Sequence, residues 1–318
     1  MIRLLALALL TTAATAQTFE EIVPPDAEVQ VLANGFGWAE GPVWRVLEGD
    51  LLFSDVPGNT IWRWTDEHGL EVYLRPAGRA LGTDTPGETG SNGLILDHNR
   101  RLLIAEHGSR SVTRLDAETW VRQPLATHYD GRRLNSPNDL ALHRSGVLFF
   151  TDPPYGLAGG DDSPQKEQPH NGVYRLDPDG TVTLLIDDLT RPNGVILSPD
   201  EQTLYVANSD PERAIWRAYP VLEGGALGEG RLLFDATSMV DPETPGLPDG
   251  MAMGADGTLF ATGPGGVLVL TPGGEHLGTI PTPMQTANVT FGDDGHVLYL
   301  TSHDRLQRIR IAARGVGF

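Results

Sequence analysis

Six times along the chain a polar residue is followed directly by a short apolar run, at Glu40, Asn92, Asn138, Asn193, Asp249 and Asn288. The openings recur about 40 to 55 residues apart, the period of a repeat architecture built from one supersecondary unit. Each repeat continues in the same way: a turn rich in Gly, Asp or Asn, a second apolar run ending in small polar residues, then a third and a fourth run. The fourth repeat reads Asn193-Gly194, Val195 to Leu197, the turn Ser198-Pro199-Asp200-Glu201, a run from Thr203 to Ala207, the pair Asn208-Ser209, and Ile215 to Tyr219. The fifth follows with Asp249-Gly250, Met251 to Met253, a turn at Asp256-Gly257, Leu259 to Thr262, Gly266 to Leu270 and Pro272-Gly273-Gly274. Short runs separated by such turns predict antiparallel strands rather than helices.

Four strands in each of six repeats predict an all-β chain, a six-bladed β-propeller with four-stranded antiparallel blades around a central metal-binding channel. A continuous sandwich would leave the in-register restart unexplained. The segment Ala27 to Leu32 precedes the first repeat and is expected to pair with the last blade and close the ring. If strand one of each blade lines the channel, the six openings meet at one mouth. The ends of the second strands, Ser54-Asp55, Glu106-His107, Thr151-Asp152, Asn208-Ser209, Thr262-Gly263 and Ser302-His303, then form an outer ring there. The long irregular segments 80–91, 155–171 and 238–248 should rise at the same mouth as a lid.

Composition changes this picture in three places. Residues 1–16 carry a basic start, an apolar stretch from Leu4 to Leu10 and the small-x-small ending Ala14-Thr15-Ala16, the pattern of a secretory signal peptide cleaved after Ala16. This predicts a periplasmic or secreted protein with residues 17–318 as one domain; the apolar stretch is too short for a permanent span, so no membrane association is expected after cleavage. The chain has no cysteine, which removes disulfides and thiol chemistry. Its formal charge is −19, and such a surface repels nucleic acid.

The openings supply the candidate chemistry. Glu40 sits in Trp38-Ala39-Glu40-Gly41-Pro42-Val43-Trp44, Asn193 in Arg191-Pro192-Asn193-Gly194 and Asp249 in Leu247-Pro248-Asp249-Gly250. A rigid proline and a permissive glycine flank each of them. One Asn-Gly or Asp-Gly pair alone is a turn signal. Six in register form a ring of carboxylate and carboxamide oxygens, a hard donor set that suits Ca²⁺ best and can also take Mg²⁺, Mn²⁺ or Zn²⁺.

Together with Ser136-Pro137-Asn138-Asp139-Leu140 and Thr151-Asp152-Pro153-Pro154-Tyr155-Gly156, these motifs resemble the gluconolactonase, senescence-marker-protein and luciferin-regenerating-enzyme-like family. The resemblance runs from about Glu28 to Arg310, and the bacterial gluconolactonase-like branch fits better. It implies hydrolysis of a sugar lactone or related small-molecule lactone with one divalent cation on the propeller axis. Glu40, Asn193 and Asp249 match the family's metal ligands, and Asn138 matches the carboxamide beside them that completes the shell or touches substrate. Asp249 is the family's usual base, and Asp139 or a metal-bound hydroxide is the alternative for that role. Two positions depart from the pattern of some members: Ser136 stands where they carry an arginine, and Tyr155 where they carry a carboxylate. Asn92, Tyr155, His107 and His303 remain as candidate substrate contacts. No Ser lies in a Gly-x-Ser-x-Gly setting, which argues against serine-hydrolase chemistry. Two other readings stay open: a non-catalytic sugar- or partner-binding propeller with a structural Ca²⁺, and a strictosidine-synthase-like condensation.

Overall fold

The structure is a computed structural model that describes residues 17–80 and 86–318. The segment read as a signal peptide lies outside the described residues. Among the described residues six antiparallel four-stranded sheets and one two-stranded hairpin occur, and the innermost strands of the six pack in sequence, each against the next and the sixth against the first, so the ring closes. The blades begin with the strands Ala39–Arg45, Ser91–Leu96, Leu140–Leu142, Pro192–Leu197, Met251–Met253 and Thr286–Gly292. This is the six-bladed propeller expected from the repeats.

Closure uses both ends of the chain. The sixth blade is made of Thr286–Gly292, Val297–Ser302, Arg305–Arg310 and, as its outermost strand, Gln30–Asn34. Gln30 pairs with Arg308 and Asn34 with Arg305. The closing strand therefore starts three residues later than the segment Ala27 to Leu32 suggested. A short capped helix, Phe19–Ile22, precedes it, and Thr18 and Glu21 satisfy each other's backbone donors in a capping box. Phe19 lies so close to Gly278 that a Cβ there would stand 2.5 Å from its ring.

The second strands explain why their apolar runs are continuous. Both faces of every blade are covered by neighbours, so alternate residues serve different interfaces. Leu51 and Phe53 pack toward the sixth blade while Leu52 packs toward the second. Phe149 faces the fourth blade and Phe150 the second. Leu204 and Val206 face the third, Tyr205 and Ala207 the fifth. Hydrophobic burial is thus divided among six interfaces rather than gathered in one centre.

Polar strand ends hold the mouth together. Asp152 accepts hydrogen bonds from the backbone N–H of Asn135 and Ser136, at 2.7 and 2.8 Å, and fixes the approach to Asn138. Asp55 does the same for Gly37 and Trp38 ahead of Glu40, and Asn208 for Arg191 ahead of Asn193. One residue earlier in the strand, a hydroxyl reaches the next blade: Ser54 donates to the carbonyl of Asn92, Thr151 to that of Asn193 and Thr262 to that of Ala287. The outer ring of polar pairs is therefore mainly a set of anchors and staples.

Candidate active site

Four openings stand at a register shift in the innermost strand, between Glu40 and Val43, Ser91 and Leu94, Pro192 and Val195, and Thr286 and Asn288. A bulge at the end of a pleated strand re-aims a side chain. The glycine after the opening does the rest of the positioning. A Cβ on Gly41 would stand 2.1 Å from the carbonyl oxygen of Asn92, one on Gly194 2.1 Å from that of Asp249, and one on Gly250 2.0 Å from the Asn288 amide carbon. Without side chains at these places, adjacent blades bring their openings together.

The result is a cavity of about 280 Å³ at the mouth of the channel, lined by Glu40, Asn92, Asn138, Asn193 and Asp249 together with His107, Tyr155, Glu88, Trp38, Ser209, Gln285, Leu247 and Val56. The three expected lid segments each reach it, through Glu88, Tyr155 and Leu247. Asp139 and Asn288 do not line this cavity but a second, mainly apolar one of about 480 Å³, walled by the innermost strands and Phe318. His303 does not line the mouth cavity; its half-exposed ring packs edge-on against Trp38, which does. Ser136 is buried, donating to the carbonyl of Pro153 and accepting from the N–H of Gly156, so it serves the backbone of the loop.

Three carboxyl groups are buried close together. Burial, with the Asp139 charge adding to it, raises Glu40 from its ordinary range to about 7, although the Gly41 N–H and the Asn288 amide bond it. Burial raises Asp139 to about 6 against the pull of the Val195 and Leu140 N–H groups, each of which donates to one of its oxygens. Burial and the charges of Glu40 and Asp139 push Asp249 well above the carboxylate range. Like charges held this near one another resist ionising unless a cation joins them. The orphaned oxygens point the same way: Asn193 Oδ1 and Asp249 Oδ1 are buried with no hydrogen-bond partner among the described residues, while Asn193 Nδ2 is engaged by Ser209 at 2.9 Å. Among the described residues no three or more His, Asp or Glu side chains cluster as a metal site. The set on hand mixes two carboxylates with carboxamides, and such oxygen donors fit a hard divalent ion.

Sequence reasoning missed Glu88, Gln285, Ser209, Leu247, Val56 and Trp38 as cavity residues. Ser209 carried a signal, since it belongs to a polar strand end; Glu88 and Gln285 sit in irregular segments without periodicity.

Known proteins bear on this site. The model of the SMP-30/Gluconolactonase/LRE-like region matches residues 38–304. A gluconolactonase of Zymomonas mobilis is 39% identical over 302 residues, covering 93% of this chain and 85% of its own. The solved structure of a gluconolactonase from Xanthomonas campestris superposes with a TM-score of 0.78 at 33% identity, covering 92% of this chain and 91% of that one. A calcium-binding protein, regucalcin from Agrobacterium tumefaciens, shares the fold with a TM-score of 0.69 at 19% identity, covering 91% of this chain and 95% of that one. With the family model matching residues 38–304, which hold all six openings, this chain belongs to the SMP-30/gluconolactonase/LRE-like family.

Proposed function

We propose that the protein is a metal-dependent lactonase that opens the ester ring of a sugar lactone or a related small lactone. The observation that carries this reading is the pair of partnerless buried oxygens, Asn193 Oδ1 and Asp249 Oδ1, beside the Glu40 carboxyl at the floor of a cavity sized for a monosaccharide-like ligand. In this reading Glu40, Asn193 and Asp249 hold one divalent cation, with Asn138 beside it. Ca²⁺ is the first choice, in line with the calcium-binding relative of the same fold. A cation bound there supplies Lewis-acid polarisation of the lactone carbonyl and neutralises charge developing on its oxygen.

The protein's own groups do the rest. Asn92 Oδ1 is buried and partnerless and accepts a substrate hydroxyl. Trp38, Val56 and Leu247 give the sugar ring an apolar wall, and Asn138 and Tyr155 orient its polar edge. Asp249 accepts the proton of the attacking water. Asp139 is less suited to that task, because both of its oxygens already accept backbone N–H groups. The leader pattern of residues 1–16 puts the site of action in the periplasm or outside the cell, which cell fractionation checks.

The test is a pH-stat assay on a panel of lactones with the protein stripped by chelator. Hydrolysis is expected to vanish on chelation and return with Ca²⁺ or another divalent ion. Cation binding with no turnover of any lactone would instead favour a binding propeller.

A further inference from the structure

Opening a lactone produces an alcohol, and an alkoxide is a poor leaving group unless a proton reaches it as the bond breaks. Before water attacks, the carboxylates that hold the cation are ionised, so a donor poised in the resting site lies outside them. Around the cavity the titratable side chains are Glu40, Glu88, Asp249, His107 and Tyr155. Burial, reinforced by the Asp249 charge, pushes the Tyr155 phenol upward and makes it a weaker acid. Asp249 and Glu40 belong to the cation. His107 and Glu88 are left, and they touch: His107 Nδ1 and a Glu88 carboxylate oxygen are in close hydrogen-bond contact.

The pair is built into the site rather than draped over it. His107 is 1% exposed. Gly156 packs directly on it, where a Cβ would stand 2.8 Å from His107 Cβ. The same Gly156 carbonyl accepts the N–H of Glu88 at 3.1 Å, so one loop fixes both partners. The other ring nitrogen is held far less firmly: Nε2 has only the Asn92 side-chain amide near it, with Nδ2 at 3.4 Å, the outer limit of a hydrogen bond, and turning that amide by 180° brings its otherwise partnerless Oδ1 round to accept from a protonated Nε2.

We propose that His107 is the proton donor to the departing ring oxygen and that Glu88 is its positioning residue. This rests on the lactonase reading above. As water attacks, its oxygen bonds to the carbonyl carbon and its proton passes to Asp249. As the tetrahedral intermediate collapses, the bond from carbon to ring oxygen breaks, and the electron pair left on that oxygen takes the Nε2 proton of the His107 imidazolium. The Glu88 carboxylate accepts Nδ1–H throughout and supports the charged ring until it becomes neutral. The proton on Asp249 then returns to solvent and the imidazole is reprotonated, which restores the starting state.

Leaving-group dependence separates this role from a structural one. δ-Valerolactone expels an aliphatic alkoxide; dihydrocoumarin expels a phenoxide, whose conjugate acid titrates near 10, so it needs little help. In cation-loaded enzyme, His107→Gln is expected to lower kcat on δ-valerolactone by roughly 10²- to 10³-fold, and on dihydrocoumarin by less than about tenfold. Glu88→Gln should show the same selectivity with a smaller loss, in kcat rather than KM, and thermal melting with and without cation identifies any variant that fails to fold. Equal losses on both substrates, or no loss on the aliphatic lactone, would overturn the assignment while leaving the lactonase reading intact. Wild-type enzyme inert toward every lactone would remove both.

Discussion

At the scale of single residues, the site depends on what is missing as much as on what is present. Gly250 admits the Asn288 side chain into space that a Cβ would occupy, and Asn288 in turn bonds Glu40 at 3.2 Å. Gly250→Ala must displace Asn288, Glu40 or the strand itself, so a loss of about 1–3 kcal/mol in stability is expected, with weaker cation binding measured by calorimetry. Asp249→Asn keeps the volume and removes a charge from the ligand set, so turnover should fall by at least about 10²-fold while the fold is retained. Wild-type rates in that variant would refute its assigned role. The residue scale also shows where sequence reading stops. Each opening was legible because it sits in a repeated frame. His107 and His303 looked equivalent, both at the end of a second strand, yet one is buried in the cavity and the other turns out past the strand with φ of 51° and packs edge-on against Trp38. Register could not separate them, because the difference arises from the backbone after the strand has ended.

At the scale of elements, the second strand of each blade proves to be the organising piece. Its alternating side chains fill two interfaces, its hydroxyl staples the next opening, and its terminal polar residue anchors the approach to its own. Asp152 is the clearest case, since it satisfies two buried backbone donors at once. Asp152→Ala would strand both, at a cost of about 1–3 kcal/mol each, and should also loosen Asn138. Denaturant unfolding measures the first effect, and an increase in KM exceeding any change in kcat measures the second. These anchors were visible in the sequence only as polar pairs. Their partners lie 16 to 18 residues upstream for Asp152 and Asp55, a separation that no local pattern connects. The lid segments were legible as irregular stretches, but which side chain each would turn inward was not, because irregular backbone has no period to project from.

At the scale of the whole molecule, charge and closure govern behaviour. In the cation-free protein the folded state holds Glu40 at about 7 and Asp139 at about 6, both above their ordinary values of 4.5 and 3.8. Between roughly pH 4 and 7 the native state therefore binds more protons than the unfolded chain, and stability must fall as pH rises through that window. A bound divalent ion favours the ionised carboxylates and opposes the trend. Thermal melts from pH 4 to 7 should thus decline in chelator and flatten, or reverse, in saturating Ca²⁺. Identical profiles under the two conditions would sink the idea that a cation sits at Glu40 beside these carboxylates. The overall charge of −19 adds to the decline but is not specific to the ring, and salt screens it more readily than it screens buried groups.

The sixth blade has a consequence for how the molecule comes into being. Its outermost strand is made before the first five blades and its other three after them, and Arg308 meets Gln30 across 278 positions of chain. The first five blades are complete in themselves, but the early strand must wait, an unsealed edge, until the sixth blade has followed them. A product cut short before Arg305 would keep five blades, the two inner strands of the sixth and a dangling first strand, with Glu40, Asn193 and Asp249 present but no lock to hold the arc. The arc is therefore sealed only once Arg305–Arg310 has been made and can pair with Gln30–Asn34.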